Sequence, residues 1–146
     1  MAVRTYPIRY PLDLRLTLAP LRRGPYDPTI RLSPGRVWRT TRTADGPASV
    51  VLVHGGDQLR AEAWGPGADR LLADIPRLLG LDDDPAPIPS GHPLIARLVR
   101  RDTGIRIPRT LAVVESLVPA ILEQKVTSDE AHRATIGLIR VHGAAA

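Results

Sequence analysis

The chain has no cysteine and no phenylalanine, and its aromatic side chains are limited to two tryptophans and three tyrosines in 146 residues. Without cysteine there can be no disulfide and no thiolate zinc site. With so few aromatics, a hydrophobic core must be assembled from Leu, Ile, Val and Ala. Long apolar runs are missing too. The N-terminal stretch "MAVRTYPIRYP" has no apolar segment of the signal-peptide kind, and nothing downstream approaches the length of a membrane span. The expectation is a soluble, cytoplasmic protein with no membrane partner.

Several catalytic signatures are absent as well. "VVLVHGGD", residues 50–57, has the His-Gly-Gly of an esterase oxyanion loop, but no G-x-S-x-G nucleophile elbow accompanies it. The segment is expected to be a hairpin turn. His54, His92, His132 and His142 never stand four apart around a glutamate, so no zincin helix exists. Gly65 and Gly67 lack the other glycines of a dinucleotide or phosphate loop. Asp82, Asp83 and Asp84 lack the alternating ligands and mid-loop glycine of a calcium-binding hand and are expected to be a solvated linker. No metal ligand, cofactor or catalytic residue is assigned.

What is abundant is arginine. The net charge is +5 and the pI about 10.6, with Lys125 the only lysine. A basic domain favours a polyanionic partner such as nucleic acid, although Arg, Ala, Pro and Gly enrichment also follows from a GC-rich genome.

Leu12, Leu14, Leu16 and Leu18 alternate with polar residues, which predicts a half-buried strand. "PLRRGPYDP" then interrupts regular structure. Three further strands are predicted at Arg36 to Thr43, Ser49 to Val53 and Gln58 to Trp64, separated by the turn sequences "ADGP" and "HGGD". "GADRLLADIPRLLGL" predicts a helix with Leu71, Leu72, Ile75, Leu78 and Leu79 on one face and a kink at Pro76. The proline-rich "DDDPAPIPSG", residues 82–91, predicts a linker. Beyond it lie a helix in "HPLIARLVRR" and an extended "GIRIPRT" ending at an N-cap, Thr110. A helix follows with the stripe Leu111, Val114, Leu117, Val118, Ile121 and Leu122, and Pro119 falls inside it. A last helix is expected from about Ser128 to His142, closed by Gly143. The class is α+β, a small antiparallel sheet with helices. The division is 1–81 for the sheet-plus-helix lobe, 82–91 for the linker and 92–146 for a helical part.

The stretch "AILEQKVTSDEAHRA", residues 120–134, carries the most specific local signal. Thr127 and Glu130 have capping-box spacing, so a new helix begins there and Gln124 to Val126 must form the turn. Such a corner exposes long polar side chains and aims helix N-terminal amides outward, a geometry that accepts phosphate. An ordinary corner between two helices has the same sequence pattern.

"GIRIPRT", a helix, and then "AILEQKVTSDEAHRA" resemble the middle of the helix-hairpin-helix DNA glycosylase superfamily. Within it the match is to the 3-methyladenine DNA glycosylase II branch, where a "GLRLP" segment leads to a helix ending "AILGQ-V-S". "YPLDLRLTLAPLRRGPYDPT" and "GRVWRTTRTADGPA" are similar to that branch's N-terminal sheet domain. The resemblance implies an α+β sheet lobe followed by the first helices of an all-α glycosylase domain, acting in base-excision repair on double-stranded DNA with alkylated bases. Carried over, Gln124 and Lys125 are wedge positions at the minor groove, with Val126, Thr127 and Arg133 beside them in the DNA-binding set. Glu123 stands where the family has a small residue, and Lys125 replaces an apolar wedge. The family's glycine-rich hairpin and catalytic aspartate lie downstream of this signature. The expectation is therefore the N-terminal portion of such an enzyme, binding DNA but not catalytic alone. A complementary half-protein would be a further partner. A non-catalytic DNA-binding or interaction module and a defective fragment are the alternatives.

Overall fold

The computed structural model describes residues 1–84 and 91–144. Most of the stretch expected to be a linker, residues 85–90, lies outside them. The elements run β1 (Ala2–Pro7), α1 (Leu14–Leu18), a 3₁₀ turn (Ala19–Leu21), β2 (Ile30–Ser33), β3 (Arg36–Thr43), β4 (Gly46–Gly55), β5 (Gln58–Trp64), α2 (Ala68–Leu78), α3 (Pro93–Arg101), α4 (Val113–Leu122) and α5 (Ser128–His142). The fold is α+β, with an antiparallel sheet ordered β1-β5-β4-β3-β2 among the described residues.

Strands β3, β4 and β5 follow one another through tight hairpins. Gly56 begins the β4–β5 turn with φ +61°, a left-handed step that glycine takes without a Cβ penalty. "HGGD" is thus a turn, as its spacing implied. The register sets Val37 opposite Leu52 and Leu52 opposite Ala61, with Val50 opposite Ala63. These residues share the inner face and are buried. The alanines keep that face shallow, so α2 can settle on it with Leu71, Leu72, Ile75 and Leu78 buried. Each such side chain contributes about 1.5–3 kcal/mol when fully buried.

Pro76 lies inside α2 and has no amide to donate to the Leu72 carbonyl one turn earlier. That carbonyl is taken up instead by the hydroxyl of Tyr6 on β1, at 2.5 Å. The lost helix bond is replaced by a tie between helix and edge strand. Burial raises the Tyr6 phenol above its ordinary pKa of 10.0.

The strand predicted over Leu12 to Leu18 is a helix, α1. The carboxylate of Asp13 accepts from the Leu16 amide at 2.8 Å and caps it. Leu14 and Leu18 are four apart, so the same leucines that read as alternating also form one helical face, with Thr17 beside them. Strands β1 and β2 escaped the period-2 reading. In β2, Ile30 and Leu32 alternate with polar residues ahead of Pro34–Gly35, where Gly35 has φ +65°.

Thr110 is not the cap of α4. Leu111 takes a left-handed backbone, φ +55°, so the helix cannot run back through it and starts after Ala112. The Thr110 hydroxyl accepts from the Ala112 amide at 3.3 Å and lies 3.1 Å from the Ser116 hydroxyl, staying local to the turn. Leu111 therefore drops out of the predicted stripe.

Candidate nucleic-acid interface

The corner between α4 and α5 is built by its neighbours. "GIRIPRT" runs along the sheet lobe. The Asp13 amide donates to the Gly104 carbonyl at 2.8 Å, and the Arg106 amide donates to the buried Thr17 hydroxyl at 3.1 Å. Arg109 donates through its backbone to the Leu78 carbonyl and through its guanidinium to both oxygens of Asp83. Helix α4 is then clamped to β3 by Glu115. Its carboxylate accepts from the Thr41 hydroxyl at 2.6 Å and the Arg42 amide at 2.7 Å, and it faces the Arg39 guanidinium at 3.5 Å. Arg39 is only 7% exposed. Burial lowers its pKa, opposed by Glu115 and Asp27, and an uncompensated cation there would be costly. The sequence reading missed this clamp, because a glutamate in the first turn of a helix reads as an ordinary dipole partner.

The tip itself is held from behind by the loop after the 3₁₀ turn. Asp27 organises that loop, accepting from the Arg23 amide at 2.7 Å and from the Thr29 amide and hydroxyl at 2.8 and 2.7 Å. Arg23 then pairs with Glu123 at 3.3 Å. Gly24, at φ +80°, lies against the His132 ring, where a Cβ would come within 2.8 Å of Nδ1. The acidic residue at 123 thus has a structural role here: it fastens the end of α4 to the sheet lobe.

Beyond Glu123 the chain turns through Gln124, Lys125 and Val126, all exposed. Lys125 adopts φ +59°, the left-handed region that non-glycine residues seldom enter. Val126 is 49% exposed and carries an apolar group outward at the apex. The capping box predicted for α5 is present. The Thr127 amide donates to Glu130 Oε2 at 3.0 Å, and the Glu130 amide donates to the Thr127 hydroxyl at 3.4 Å. The Thr127 hydroxyl in turn donates to Glu130 Oε2 at 2.7 Å, and this bond first, then the one from the Thr127 amide, holds the Glu130 carboxyl below the usual range.

The capping box also changes the electrostatics expected of the corner. The Thr127 amide is occupied by Glu130, so it is not an open phosphate donor. By helix geometry the amides of Ser128 and Asp129 remain at the open end of α5. Asp129 and Glu130 stand beside them, and the compensating cations are Lys125 on the turn and the exposed Arg133 one turn further along. The structure thus brings Gln124, Lys125, Val126 and Thr127 onto one projecting corner, with Arg133 on its flank. A cleft of about 610 Å³ lies behind α4 and α5, lined by Arg39, Val114, Pro119, Thr135 and Ile139 among others.

Among the described residues no helix is long and apolar enough to cross a membrane, and no three His, Asp or Glu side chains are grouped to hold a metal ion.

No protein-family model matches the sequence, and no curated protein matches it. Among solved structures, the chain is similar to a 3-methyladenine DNA-glycosylase from Archaeoglobus fulgidus, with a TM-score of 0.65 and 13% identity. The match covers 94% of this chain and 50% of that one, so the chain spans about half the length of its structural neighbour. At this identity the likeness is one of fold alone.

Proposed function

We propose that residues 1–146 form the sheet lobe and wedge-bearing helix pair of a DNA glycosylase-like repair protein, and that the chain contacts duplex DNA through the α4–α5 corner. The observation that carries this is the corner's construction. An exposed, left-handed Lys125 and an outward Val126 sit on a turn whose two flanks are fixed, by Arg23–Glu123 on one side and the capping box on the other. The left-handed step ends the α4 turn and leaves the lysine exposed at its apex. In this proposal Lys125 and Arg133 meet phosphates, the Ser128 and Asp129 amides assist, and Val126 with Gln124 fills space left where a nucleotide is displaced. Bond cleavage is assigned to no residue of 1–146, because the proposal places the base-side aspartate in a complementary part of the protein.

Binding through so few phosphate contacts should be weak and non-specific, about 10⁻⁴–10⁻⁶ M at physiological salt, and steeply salt-dependent. Titration of a duplex across a salt series with wild type and Lys125→Ala tests it. The mutation is expected to lower the log–log salt slope by about one unit. An unchanged slope and affinity would show that Lys125 touches no phosphate.

A further inference from the structure

The sheet has a second face, turned away from α1 and α2, and its composition is unlike that of the core. The register lines up Arg31, Trp38, Val51, Glu62 and Val3 in one row across the five strands, and Ser33, Arg36, Val53, Arg60 and Thr5 in the next. Trp64, opposite Ser49, lies diagonal to Trp38. Their rings stack at 6.4 Å between centroids and 10° between planes. Val51 is buried in this patch although it faces away from the core. Trp38 remains 45% exposed, so one indole face stays open to solvent. Arg31, Arg36, Arg42 and Arg60 are all exposed on this side. The acid among them in these rows, Glu62, is paired with Arg60 at 2.8 Å.

We propose that this outer sheet face is a binding surface for single-stranded nucleic acid, separate from the α4–α5 corner. An open aromatic face ringed by guanidinium groups supplies the two things unpaired nucleotides need: a platform for base stacking and cations for the backbone. A duplex keeps its base faces inside the stack and cannot use the indole. Arg31 directly beside Trp38, and Arg36 in the adjoining row, carry the phosphate contacts. A protein partner would more often call for a desolvated apolar centre with few charges, and here Arg31, Arg36 and Arg60 share the two rows with Trp38 and Val51.

Trp38 and Trp64 are the only tryptophans in the chain, so intrinsic tryptophan fluorescence reports on this face alone. Titration with a twelve-residue oligothymidylate is expected to quench it saturably, while heparin, which has charge but no bases, leaves it unquenched. Trp38→Leu should weaken binding about tenfold, the order of one lost stacking contact. Arg31→Ala with Arg36→Ala keeps both indoles and should reduce the salt slope by about 1.4 units, at about 0.7 per phosphate contact on a single strand. Circular dichroism checks that each variant is folded. Absence of quenching by the oligonucleotide, equal quenching by heparin, or unchanged affinity in the folded double-arginine variant would overturn the proposal.

Discussion

At the scale of single residues, Lys125 concentrates the conflict between stability and function. Its left-handed backbone costs about 1–2 kcal/mol relative to a relaxed conformation, and glycine would relieve most of that. Lys125→Gly is therefore expected to raise the stability of the chain by up to about 1 kcal/mol in urea unfolding, while lowering affinity for DNA. Loss of stability on this substitution would mean that the lysine side chain is itself part of the packing. Glu123 shows the complementary case. It departs from the small residue of the glycosylase pattern, and the structure gives the reason: Arg23, presented by the Asp27-ordered loop, is its partner.

Among the elements, α2 is the most dependent on a distant residue. Tyr6 supplies the Leu72 carbonyl with the donor that Pro76 removed. Tyr6→Phe should destabilise by about 1–2 kcal/mol, because a buried carbonyl loses its partner. In a Pro76→Ala background the alanine amide can serve Leu72, so Tyr6→Phe should then cost markedly less. A double-mutant cycle measured by chemical denaturation reads this coupling, and purely additive effects would contradict it.

How the elements could be read in advance follows the same physics. Strands β3 and β5 were legible because each has one buried face and tight turns at its ends. The start of helix α5, expected at about Ser128, was legible because the capping box marks it. Helix α1 was misread because four alternating leucines satisfy period two and the i, i+4 spacing alike, and Asp13 decides between them only through its cap bond. The start of α4 was misplaced because a left-handed leucine at 111 leaves no mark in the sequence.

For the whole molecule, the apolar surface is divided unevenly. The sheet lobe buries most of its leucines and valines. The helical part leaves Ile107 80% and Val113 75% exposed, with Val114, Leu117 and Ile121 also at the surface. Ile136 and Ile139 on α5 are partly covered. Exposed apolar area on this scale favours association. Residues 1–146 alone should self-associate or bind a hydrophobic dye at micromolar concentration in sedimentation and fluorescence assays. A dye-negative monomer would show that the helical faces are closed in solution.

Of the candidate site, the corner's existence and its exposed polar residues were legible from the helix-start spacing in "QKVTSDE". What holds it was not, because Glu115 with Arg39 and Arg23 with Glu123 join residues far apart in sequence. The most direct test of the corner as a DNA contact is a map of backbone amide shifts when ¹⁵N-labelled protein is titrated with a short duplex containing one abasic site. The largest shifts are expected at Gln124 to Glu130 and at Arg133, larger than with the same duplex intact. Shifts confined to other elements, with the α4–α5 corner unmoved at saturation, would contradict the proposed contact.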